Sequence, residues 1–308
     1  MKHISIVTPC FNEEENVQEL YDRIKRVMAG FDYEYEHIFI DNASTDRTVE
    51  VLRGLAMQDK RLKVIINTRN FGHIRSPYYG LLQAHGNPVI ILASDLQDPP
   101  ERISDFIRKW EDGYKVVIGV KTQSQEAGLF YFLRTIYYRV LRKLSDVELI
   151  EHFTGFGLYD QQVIEILRNL NDPYPYFRGL IAEIGFPIAR IEFVQPRRRH
   201  GITKNNFYTL YDMAMLGFTS YTKIPLRLAA MLGFLTAGIS FLVGLAYLIY
   251  KLIFWANFSV GLAPVVIGLF FLGSVQLIFL GIIGEYISAI YTHVTHRPLV
   301  VEKERINF

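Results

Sequence analysis

Two long runs without charge near the carboxyl end of the sequence constrain this chain most. No charged residue lies between Arg227 and Lys251, and none lies between Lys251 and Glu285. A bilayer core of about 30 Å is crossed by roughly 20 apolar residues in a helix. Residues 228–250 and 264–284 each meet that length. The pattern predicts a two-span membrane hairpin; the alternative is a hairpin buried in the core of a soluble protein.

The charges that flank these runs predict their orientation. Lys251 alone lies between the runs, whereas several basic residues lie outside them: Lys223, Arg227, Arg297, Lys303 and Arg305. By the positive-inside rule, both termini are expected in the cytoplasm. Residues 3–8 read as a strand, so no cleavable signal peptide is expected. The single cysteine, Cys10, permits no internal disulfide and suits a reducing compartment.

The first 225 residues carry charges at ordinary density and alternate short apolar runs with helical patterns. The predicted strands are residues 4–8, 37–41, 62–66, 89–92 and 116–119. The predicted helices are residues 17–27, 45–57, 74–85 and 102–110. This alternation predicts an α/β domain with a mostly parallel sheet and helices on both faces. The net charge of +2 says little about partners, and no nucleic acid is expected among them.

A dinucleotide-binding oxidoreductase is the first function to consider for such a sheet. It would need Gly-x-Gly-x-x-Gly after the first strand, and that motif is absent. The acidic segment Thr8–Asn16 stands in its place, and the second strand ends in the polar segment Asp41–Thr48. A carboxylate such as Asp41 can accept hydrogen bonds from a base or ribose, while Ser44 or Thr45 caps the next helix. Taken singly, each segment is better explained as an ordinary strand-to-helix turn.

The segment Pro88–Pro100 is the strongest single indication of chemistry. Its apolar run reads as a buried strand that stops at polar residues, and ligands bind beyond the carboxyl ends of parallel strands. Asp95 and Gln97 are two residues apart, so in an extended chain their side chains point the same way. Two oxygen ligands suit Mg²⁺ or Mn²⁺, which complete their shells with water and substrate phosphates. Asp98, before two prolines, is predicted to cap the next helix.

Together these segments resemble the inverting glycosyltransferases of family two, which have the GT-A fold, a Rossmann-like α/β architecture. Within that family the chain is most similar to the polyprenyl-phosphate glycosyltransferases, which include dolichol-phosphate mannose synthase and the bactoprenol glucosyltransferases. Six segments carry the resemblance and cover nearly the whole chain: Thr8–Asn16, Asp41–Asp46, Ser94–Glu101, Thr154–Tyr159, Arg198–Lys204 and Pro225–Leu228.

The resemblance implies roles for the strand-end residues. It places Asp95 and Gln97 on the metal that bridges to the donor diphosphate, and it assigns four residues to the nucleotide-sugar pocket, which Asp95 adjoins: Pro9, Glu13, Asp41 and Asn42. Two departures matter. Family members often have two aspartates where this chain has Asp41 and Asn42. Mannose synthases have Asp-Ala-Asp where this chain has Ala93, Ser94 and Asp95, which points away from that branch.

The acceptor side is expected in basic segments near the membrane. Residues 128–144 have an apolar stripe flanked by Arg134 and Arg139, which indicates either a helix at an anionic membrane surface or an ordinary amphipathic helix on the sheet. Residues 207–218 are a second interfacial helix candidate. The loop 197–204 contains Arg198 and Lys204, which match the family's phosphate-binding loop; the alternative is a solvated charge run.

The implied reaction needs few catalytic groups. A lipid phosphate monoester has a second pKa near 6, so at pH 7 it is already mostly an anionic nucleophile and needs no strong general base. In-line attack inverts the anomeric configuration. Asp160 follows Thr154–Tyr159 and lies near the family's acceptor residues, so it either assists catalysis or caps the next helix. With it, the predicted catalytic residues are Asp95, Asp160, Arg198 and Lys204.

The sequence thus predicts a membrane-anchored GT-A glycosyltransferase that moves a hexose from UDP-glucose to undecaprenyl phosphate on the cytoplasmic leaflet. Four parts are expected: a catalytic domain over 1–205, an interfacial helix over 206–227, a membrane hairpin over 228–284 and a cytoplasmic tail over 285–308. The alternatives are GDP-mannose transfer of the mannose synthase kind and a non-catalytic membrane protein that binds nucleotide sugars. Glycines in the spans permit close helix packing, so a homo-oligomer is possible.

Overall fold

The structure is a computed structural model that describes residues 3–122, 150, 153–196, 215–254, 262–295 and 297–308. Predicted acceptor-side elements lie outside these ranges: Arg134, Arg139, Arg198, Lys204, the helix expected over 128–144 and most of the helix expected over 207–218. The chain divides into two compact units. The first comprises Met1–Leu210 with Thr295–Phe308, and the second comprises Tyr211–Val294.

The described elements match the predicted alternation of strands and helices. The strands are β1 (His3–Cys10), β2 (Glu34–Asp41), β3 (Leu62–Asn67), β4 (Val89–Ile91), β5 (Val116–Lys121), β6 (Phe153–Tyr159), β7 (Ile188–Phe193) and β8 (Glu302–Ile306). The helices of the first unit are α1 (Val17–Met28), α2 (Thr48–Gln58), α3 (Gly72–Leu82), α4 (Ile103–Glu111), α5 (Gln161–Leu170) and α6 (Phe177–Glu183). The second unit contains α7 (Ile224–Ile253) and α8 (Leu262–Val294).

All eight strands belong to one sheet with the order β7-β5-β6-β4-β1-β2-β3-β8. β1 pairs in parallel with β2 and β4, β2 pairs in parallel with β3, and β5 pairs in parallel with β7. β6 runs antiparallel between β4 and β5, and β8 runs antiparallel to β3 at one edge. The mostly parallel α/β sheet predicted from the sequence is confirmed.

Helices cover both faces of the sheet, so its central strands are apolar on both faces. Ile6 of β1 contributes to one hydrophobic cluster and Val7 to the other; on β2 the same alternation separates Phe39 from Ile38 and Ile40. The helices pack through one stripe each. α1 buries residues at helical spacing: Val17, Leu20, Tyr21, Ile24 and Met28. Period-two strands and period-3.6 helices therefore interlock as the sequence pattern predicts.

The C-terminal segment differs from its prediction as a tail over 285–308. α8 continues to Val294, and Glu302–Ile306 form β8, whose Ile306 pairs with Val64 of β3. The amide of Thr68 donates to Val301 O at 2.9 Å. The segment after α8 is therefore part of the α/β domain. Its strand is mostly charged and alternates half-buried with exposed positions, so no apolar run marks it in the sequence.

The two apolar helices are exposed along their length. No residue of α7 is buried, and side chains such as Phe234 and Phe270 are 80% and 70% exposed. Both helices are long and apolar enough to cross a membrane. Within this unit the Tyr286 hydroxyl donates to Thr222 O at 2.6 Å. The alternative of a hairpin buried in a soluble core has no support in the described residues.

A histidine lies in the centre of the sheet. His37 on β2 is 1% exposed, and its Nε2 lies 2.9 Å from Thr8 Oγ1. Its Nδ1 has no hydrogen-bond partner among the described residues. Burial lowers the pKa of His37 to about 3. The ring is therefore neutral at pH 7.

We expect acid to destabilise the protein through His37. The unfolded chain binds a proton at this imidazole near pH 6.5, whereas the folded protein binds it only near pH 3. The stability is fully present above about pH 6.5 and falls by roughly 1.4 kcal/mol per pH unit below it. The melting temperature of His37→Gln should therefore fall less steeply from pH 7 to 5 than that of wild type. The exposed His85→Gln variant should follow wild type; equal slopes for all three would contradict the expectation.

Candidate active site

Three loops that follow neighbouring strands form one edge of the sheet. β4, β1 and β2 are adjacent and parallel, so their carboxyl ends lie together. At this edge Cys10 pairs with Asp41, and the amide of Asn42 donates to Cys10 O at 3.0 Å. The loop after β1 carries Glu13, and the loop after β4 carries Asp95. The strand-end residues singled out in the sequence thus share the edge where open α/β sheets bind ligands.

Each of these loops contains a residue with left-handed backbone geometry. The φ angles are 56° at Asn12, 63° at Ala43 and 59° at Leu96. Asparagine tolerates this region, but alanine and leucine adopt it at a cost of roughly 1–2 kcal/mol. Such strain persists only where the surroundings impose it, and it concentrates at functional sites. Neither Ala43 nor Leu96 is a residue type that signals this geometry in a sequence.

The loops after β1 and β2 are joined by side chain to backbone hydrogen bonds. The amide of Asn12 donates to Ser44 Oγ at 2.8 Å, and the amide of Thr45 donates to Asn12 Oδ1 at 2.7 Å. The amide of Glu13 donates to Thr48 Oγ1 at 2.8 Å. The acidic segment after β1 is therefore held in one conformation by the loop after β2. Nothing in the residue types of Asn12 and Thr48 indicates this supporting role in the sequence.

Pro9 and Glu13, both predicted to line the nucleotide pocket, lie at the end of β1 and just beyond it. Pro9 is half-buried, and Glu13 is 7% exposed. The Glu13 carboxylate accepts a hydrogen bond from Asn16 Nδ2 at 2.6 Å. The contact fixes the Glu13 side chain against the start of α1.

Asp41 is completely buried beneath the loop that follows it. Its carboxylate accepts hydrogen bonds from the amide of Ser44 at 2.9 Å and from the Ser44 hydroxyl at 2.5 Å. Burial raises the pKa of Asp41, while the bonds from Ser44 oppose that rise. Ser44 is therefore committed to Asp41, and the predicted cap of α2 by Ser44 or Thr45 is wrong. The amide of Thr48 donates instead to Asp46 Oδ1 at 3.0 Å.

The Asn42 side chain makes four hydrogen bonds inside the protein. Its Nδ2 donates to Asn70 Oδ1 at 2.8 Å and to Gly72 O at 3.2 Å. Its Oδ1 accepts from the amide of Phe71 at 2.9 Å and from Asn67 Nδ2 at 3.2 Å. Both amide hydrogens are used. Asn42 therefore joins β2 to the loop after β3.

Buried and partly exposed residues alternate in the loop after β4. Ser94, Leu96 and Asp98 are buried, whereas Asp95 and Gln97 are partly exposed. The amide of Gln97 donates to Asp95 Oδ1 at 3.2 Å, which keeps the two residues close. The predicted extended geometry of this segment is not found, because the chain turns at Ser94 and Asp95 and Leu96 has left-handed geometry; Asp95 and Gln97 are nevertheless both partly exposed.

Asp98 does not cap the following helix as predicted. Its carboxylate is 6% exposed and accepts a hydrogen bond from the amide of Ala93 at 3.1 Å, so it points back towards the end of β4. The 3₁₀ turn Pro100–Arg102 before α4 has no side-chain cap. Burial raises the pKa of Asp98 to about 6, with a further contribution from Asp95. Asp98 thus closes the loop that presents Asp95 and Gln97.

The donor set at this edge fits a hard divalent cation shared with a substrate. Among the described residues, no group of three His, Cys, Asp or Glu side chains is arranged to hold a metal. Mg²⁺ and Mn²⁺ need no such group, because they take one or two protein oxygens and fill the shell with water and phosphate oxygens. The carboxylate of Asp95 and the amide oxygen of Gln97 are two such oxygens. Asp95 and Gln97 do not form a closed four-ligand site of the kind that holds structural zinc.

Asp160 lies at the opposite edge of the sheet. β6 runs antiparallel to β4 with Tyr159 opposite Val89, so Asp160 lies beside the amino end of β4, whereas Asp95 follows its carboxyl end. The Asp160 carboxylate accepts three hydrogen bonds, from Trp110 Nε1 at 2.8 Å, Lys115 Nζ at 3.1 Å and the amide of Gln162 at 3.1 Å. It is the cap of α5, as one of the two alternatives from the sequence predicts, and it lies away from Asp95; its catalytic role stays an untested prediction.

We expect Asp160→Asn to lower stability and to leave catalysis unchanged. The change weakens the bonds from Trp110 and Lys115 to a buried carboxylate, at a cost of about 1–3 kcal/mol. The melting temperature should fall by several degrees, while kcat per folded molecule should stay within about twofold of wild type. A hundredfold lower kcat at an unchanged melting temperature would show that Asp160 takes part in catalysis.

The mostly parallel sheet, with polar loops at the ends of β4, β1 and β2, has the architecture predicted for a GT-A glycosyltransferase. The sequence model described as "Glycosyl transferase family 2" matches residues 5–168. A second, described as "GtrB C-terminal hairpin", matches residues 224–290 and so includes most of α7 and α8. The chain belongs to glycosyl transferase family 2 and is a glycosyltransferase.

Full-length relatives agree with this assignment. An uncharacterised glycosyltransferase of Bacillus subtilis is 37% identical over 304 residues, covering 97% of this chain and 94% of its own length. A bactoprenol glucosyl transferase of Shigella phage SfV is 34% identical over 301 residues, covering 97% and 98%. Among solved structures, glucosyl-3-phosphoglycerate synthase from Mycobacterium tuberculosis aligns over 71% of this chain and 78% of its own, with 19% identity and a TM-score of 0.48.

Proposed function

We propose that this glycosyltransferase transfers a hexose from a nucleotide diphosphate sugar, UDP-glucose, to a polyprenyl phosphate. The observation that carries the proposal is the pair of accessible oxygen donors, Asp95 and Gln97, at the edge shared by the ends of β4, β1 and β2. The glucose and lipid specificities are supported by the full-length similarity to a bactoprenol glucosyl transferase.

The donor nucleotide is assigned to the loops after β1 and β2. Pro9 and Glu13 line this region directly. Asp41 acts through the loop above it, because its carboxylate is buried and held by Ser44. Asn42 acts as a brace, since its amide is used within the protein.

The donor diphosphate is assigned to the loop after β4. Asp95 and Gln97 would hold Mg²⁺ or Mn²⁺ there, and the cation would neutralise charge on the departing diphosphate. The carboxylate of Asp95 supplies the negative charge of this pair, and the bond from the Gln97 amide orients it. Asp98 keeps the loop folded by accepting the Ala93 amide from inside.

The acceptor needs positioning more than activation. A lipid phosphate is mostly a dianion at pH 7, and the loops 11–16, 42–47 and 92–99 contain no histidine. The phosphate oxygen attacks the anomeric carbon, the bond to the diphosphate breaks, and the configuration inverts. Arg198 and Lys204, with Arg134 and Arg139, are assigned to the acceptor phosphate, since guanidinium and ammonium groups form charge-assisted hydrogen bonds to it.

The membrane arrangement belongs to the same proposal. α7 and α8 would span the cytoplasmic membrane, with residues 1–205 and the C-terminal strand in the cytoplasm, as the flanking basic residues predict. Residues 206–227 would lie at the interface. A substrate with a polyprenyl tail and a phosphate head requires a protein held at that surface.

The test is transfer of labelled sugar to undecaprenyl phosphate by the purified full-length protein. UDP-glucose, UDP-N-acetylglucosamine and GDP-mannose are compared, each with and without EDTA. We expect label in the lipid fraction from UDP-glucose alone, lost with EDTA and restored by Mg²⁺ or Mn²⁺. Transfer from GDP-mannose alone would favour the mannose synthase alternative. Nucleotide binding without transfer from any donor would favour a non-catalytic protein. Transfer that continues in EDTA would show that the reaction does not need a divalent cation.

A further inference from the structure

Three arginines gather beside β3, the strand next to the edge strand β8, and away from Asp95 and Gln97. Arg69 follows β3, Arg75 lies on α3, and Arg297 lies three residues beyond the end of α8. The Arg69 and Arg75 guanidinium carbons lie 4.0 Å and 5.7 Å from the centre of the Phe71 ring. A guanidinium nitrogen of Arg75 donates to Pro298 O, which places it next to Arg297. The three belong to the same compact unit.

The cluster lacks compensating negative charge. In the described part of the chain, no carboxylate forms an ion pair with any of the three arginines. Nε of Arg75 is buried and has no hydrogen-bond partner among the described residues. Burial lowers the pKa of Arg75, and the charges of Arg69 and Arg297 lower it further. Contact with the Phe71 ring offsets only part of this cost, so an anion would stabilise the cluster.

A phosphate group is the anion that this arrangement fits. Guanidinium groups bind phosphate oxygens through paired, charge-assisted hydrogen bonds. Arg69 and Arg297 are exposed and can close on a ligand, and Arg75 supplies an N–H that is already desolvated.

The donor diphosphate is too far away to be this ligand. β3 is separated from β4 by β2 and β1, and three strand spacings amount to about 14 Å. The phosphate that reacts beside Asp95 is excluded by the same distance. A separate phosphate is needed.

The position of Arg297 in the chain identifies the source. Three residues of extended chain reach at most about 10 Å, so Arg297 stays close to the end of α8 at Val294. If α8 crosses a bilayer over Gly268–Val294, a candidate span of 27 residues and about 40 Å, its end lies at the depth of the lipid headgroups. We propose that Arg69, Arg75 and Arg297 form a site for the phosphate of one anionic phospholipid, separate from the donor and acceptor sites. The inference depends on the membrane span and not on the proposed reaction.

The test is native mass spectrometry of the full-length protein in a neutral detergent, titrated with phosphatidylglycerol or phosphatidylcholine. Wild type should retain one phosphatidylglycerol in preference to phosphatidylcholine. The double variant Arg75→Gln with Arg297→Gln should bind it at least about tenfold more weakly, because charge-assisted hydrogen bonds are lost. The control double variant, Arg26→Gln with Arg108→Gln, removes two exposed charges elsewhere and should bind as wild type does.

Competition distinguishes the possible ligands. Excess UDP and millimolar inorganic phosphate should leave the bound lipid in place. Displacement of the lipid by UDP would show that the three arginines belong to the donor site. Displacement by inorganic phosphate at the same concentration as the lipid would show that they bind the free anion instead. Equal lipid retention by the two double variants would also overturn the proposal. If the Arg75 variant fails to fold, Arg69→Gln at an exposed position should still weaken lipid binding measurably, and unchanged binding there would reject the site.

Discussion

Asp95→Asn is expected to reduce kcat about a thousandfold while the protein stays folded and inserted in the membrane. The change removes one oxygen and the negative charge from the pair that faces the edge of the sheet, and leaves the volume of the side chain unchanged. Loss of one electrostatic contact in a preorganised site typically costs a hundred- to a thousandfold in kcat. Loss of a metal ligand adds to that cost. Single-turnover transfer of labelled glucose to lipid measures the step directly.

The control for this variant is Asp112→Asn, an exposed carboxylate after α4 that pairs with Lys109 at 3.0 Å. An exposed pair of this kind contributes little to stability, so its kcat and melting temperature should equal those of wild type. Nucleotide binding by Asp95→Asn should weaken in the presence of Mg²⁺ and match wild type in EDTA. Wild-type turnover by Asp95→Asn would show that Asp95 has no catalytic role. It would also contradict the proposed cation site at this edge of the sheet.

Asn42→Ala is expected to lower both stability and donor affinity. The variant leaves the amide of Phe71 without its acceptor and removes one of the two acceptors of the buried Asn67 Nδ2. It also frees Asn70 and Gly72 from β2. Several lost hydrogen bonds, two of them to buried groups, cost about 3 kcal/mol in total. In a domain of this size, that corresponds to a fall in melting temperature of roughly 10 °C.

A matched variant separates support from direct contact. Asn42→Asp keeps both accepting positions and loses the two donors to Asn70 and Gly72, so its melting temperature should lie between those of wild type and Asn42→Ala. The KM for the nucleotide sugar should rise with the loss of stability across the series. A large rise in KM for Asn42→Asp at the wild-type melting temperature would indicate that the side chain contacts the nucleotide.

The strands and helices could be predicted because their signals are local. Apolar runs such as Val89–Ile91 and the amphipathic stripe of α1 report burial on the scale of a few residues. The ends of the strands could be predicted for the same reason, and parallel pairing then brings Asp41 and Asp95 to a common edge.

The internal bonds of the site could not be predicted, because they depend on contacts between distant segments. Asn42 is bonded to residues 25 to 30 positions away, and Asp98 turns back towards Ala93 rather than forwards to a helix. Nothing in either residue type distinguishes a brace from a ligand-binding group. The left-handed geometry of Ala43 and Leu96 could not be predicted from the sequence either, since both residue types usually avoid it.

Asp160 illustrates a different limit. Its local signal as a helix cap was present in the sequence, and so was the resemblance that suggested a catalytic role. Only the antiparallel direction of β6, which brings Tyr159 beside Val89, places Asp160 away from Asp95. Strand direction depends on pairing across the sheet, so it is not visible in the segment itself.

The place of β8 in the sheet sets an order of events during synthesis. The ribosome makes β1 to β7 first, then both apolar helices, and only then the strand that covers the edge of β3. Until the second helix has left the ribosome, β3 keeps a row of unpaired backbone groups, which is a template for aggregation. The two apolar helices are therefore an insertion within the domain, and the last sheet hydrogen bonds form only after both helices have been made. A chain whose synthesis stops after the second apolar helix would therefore lack the eighth strand of the sheet.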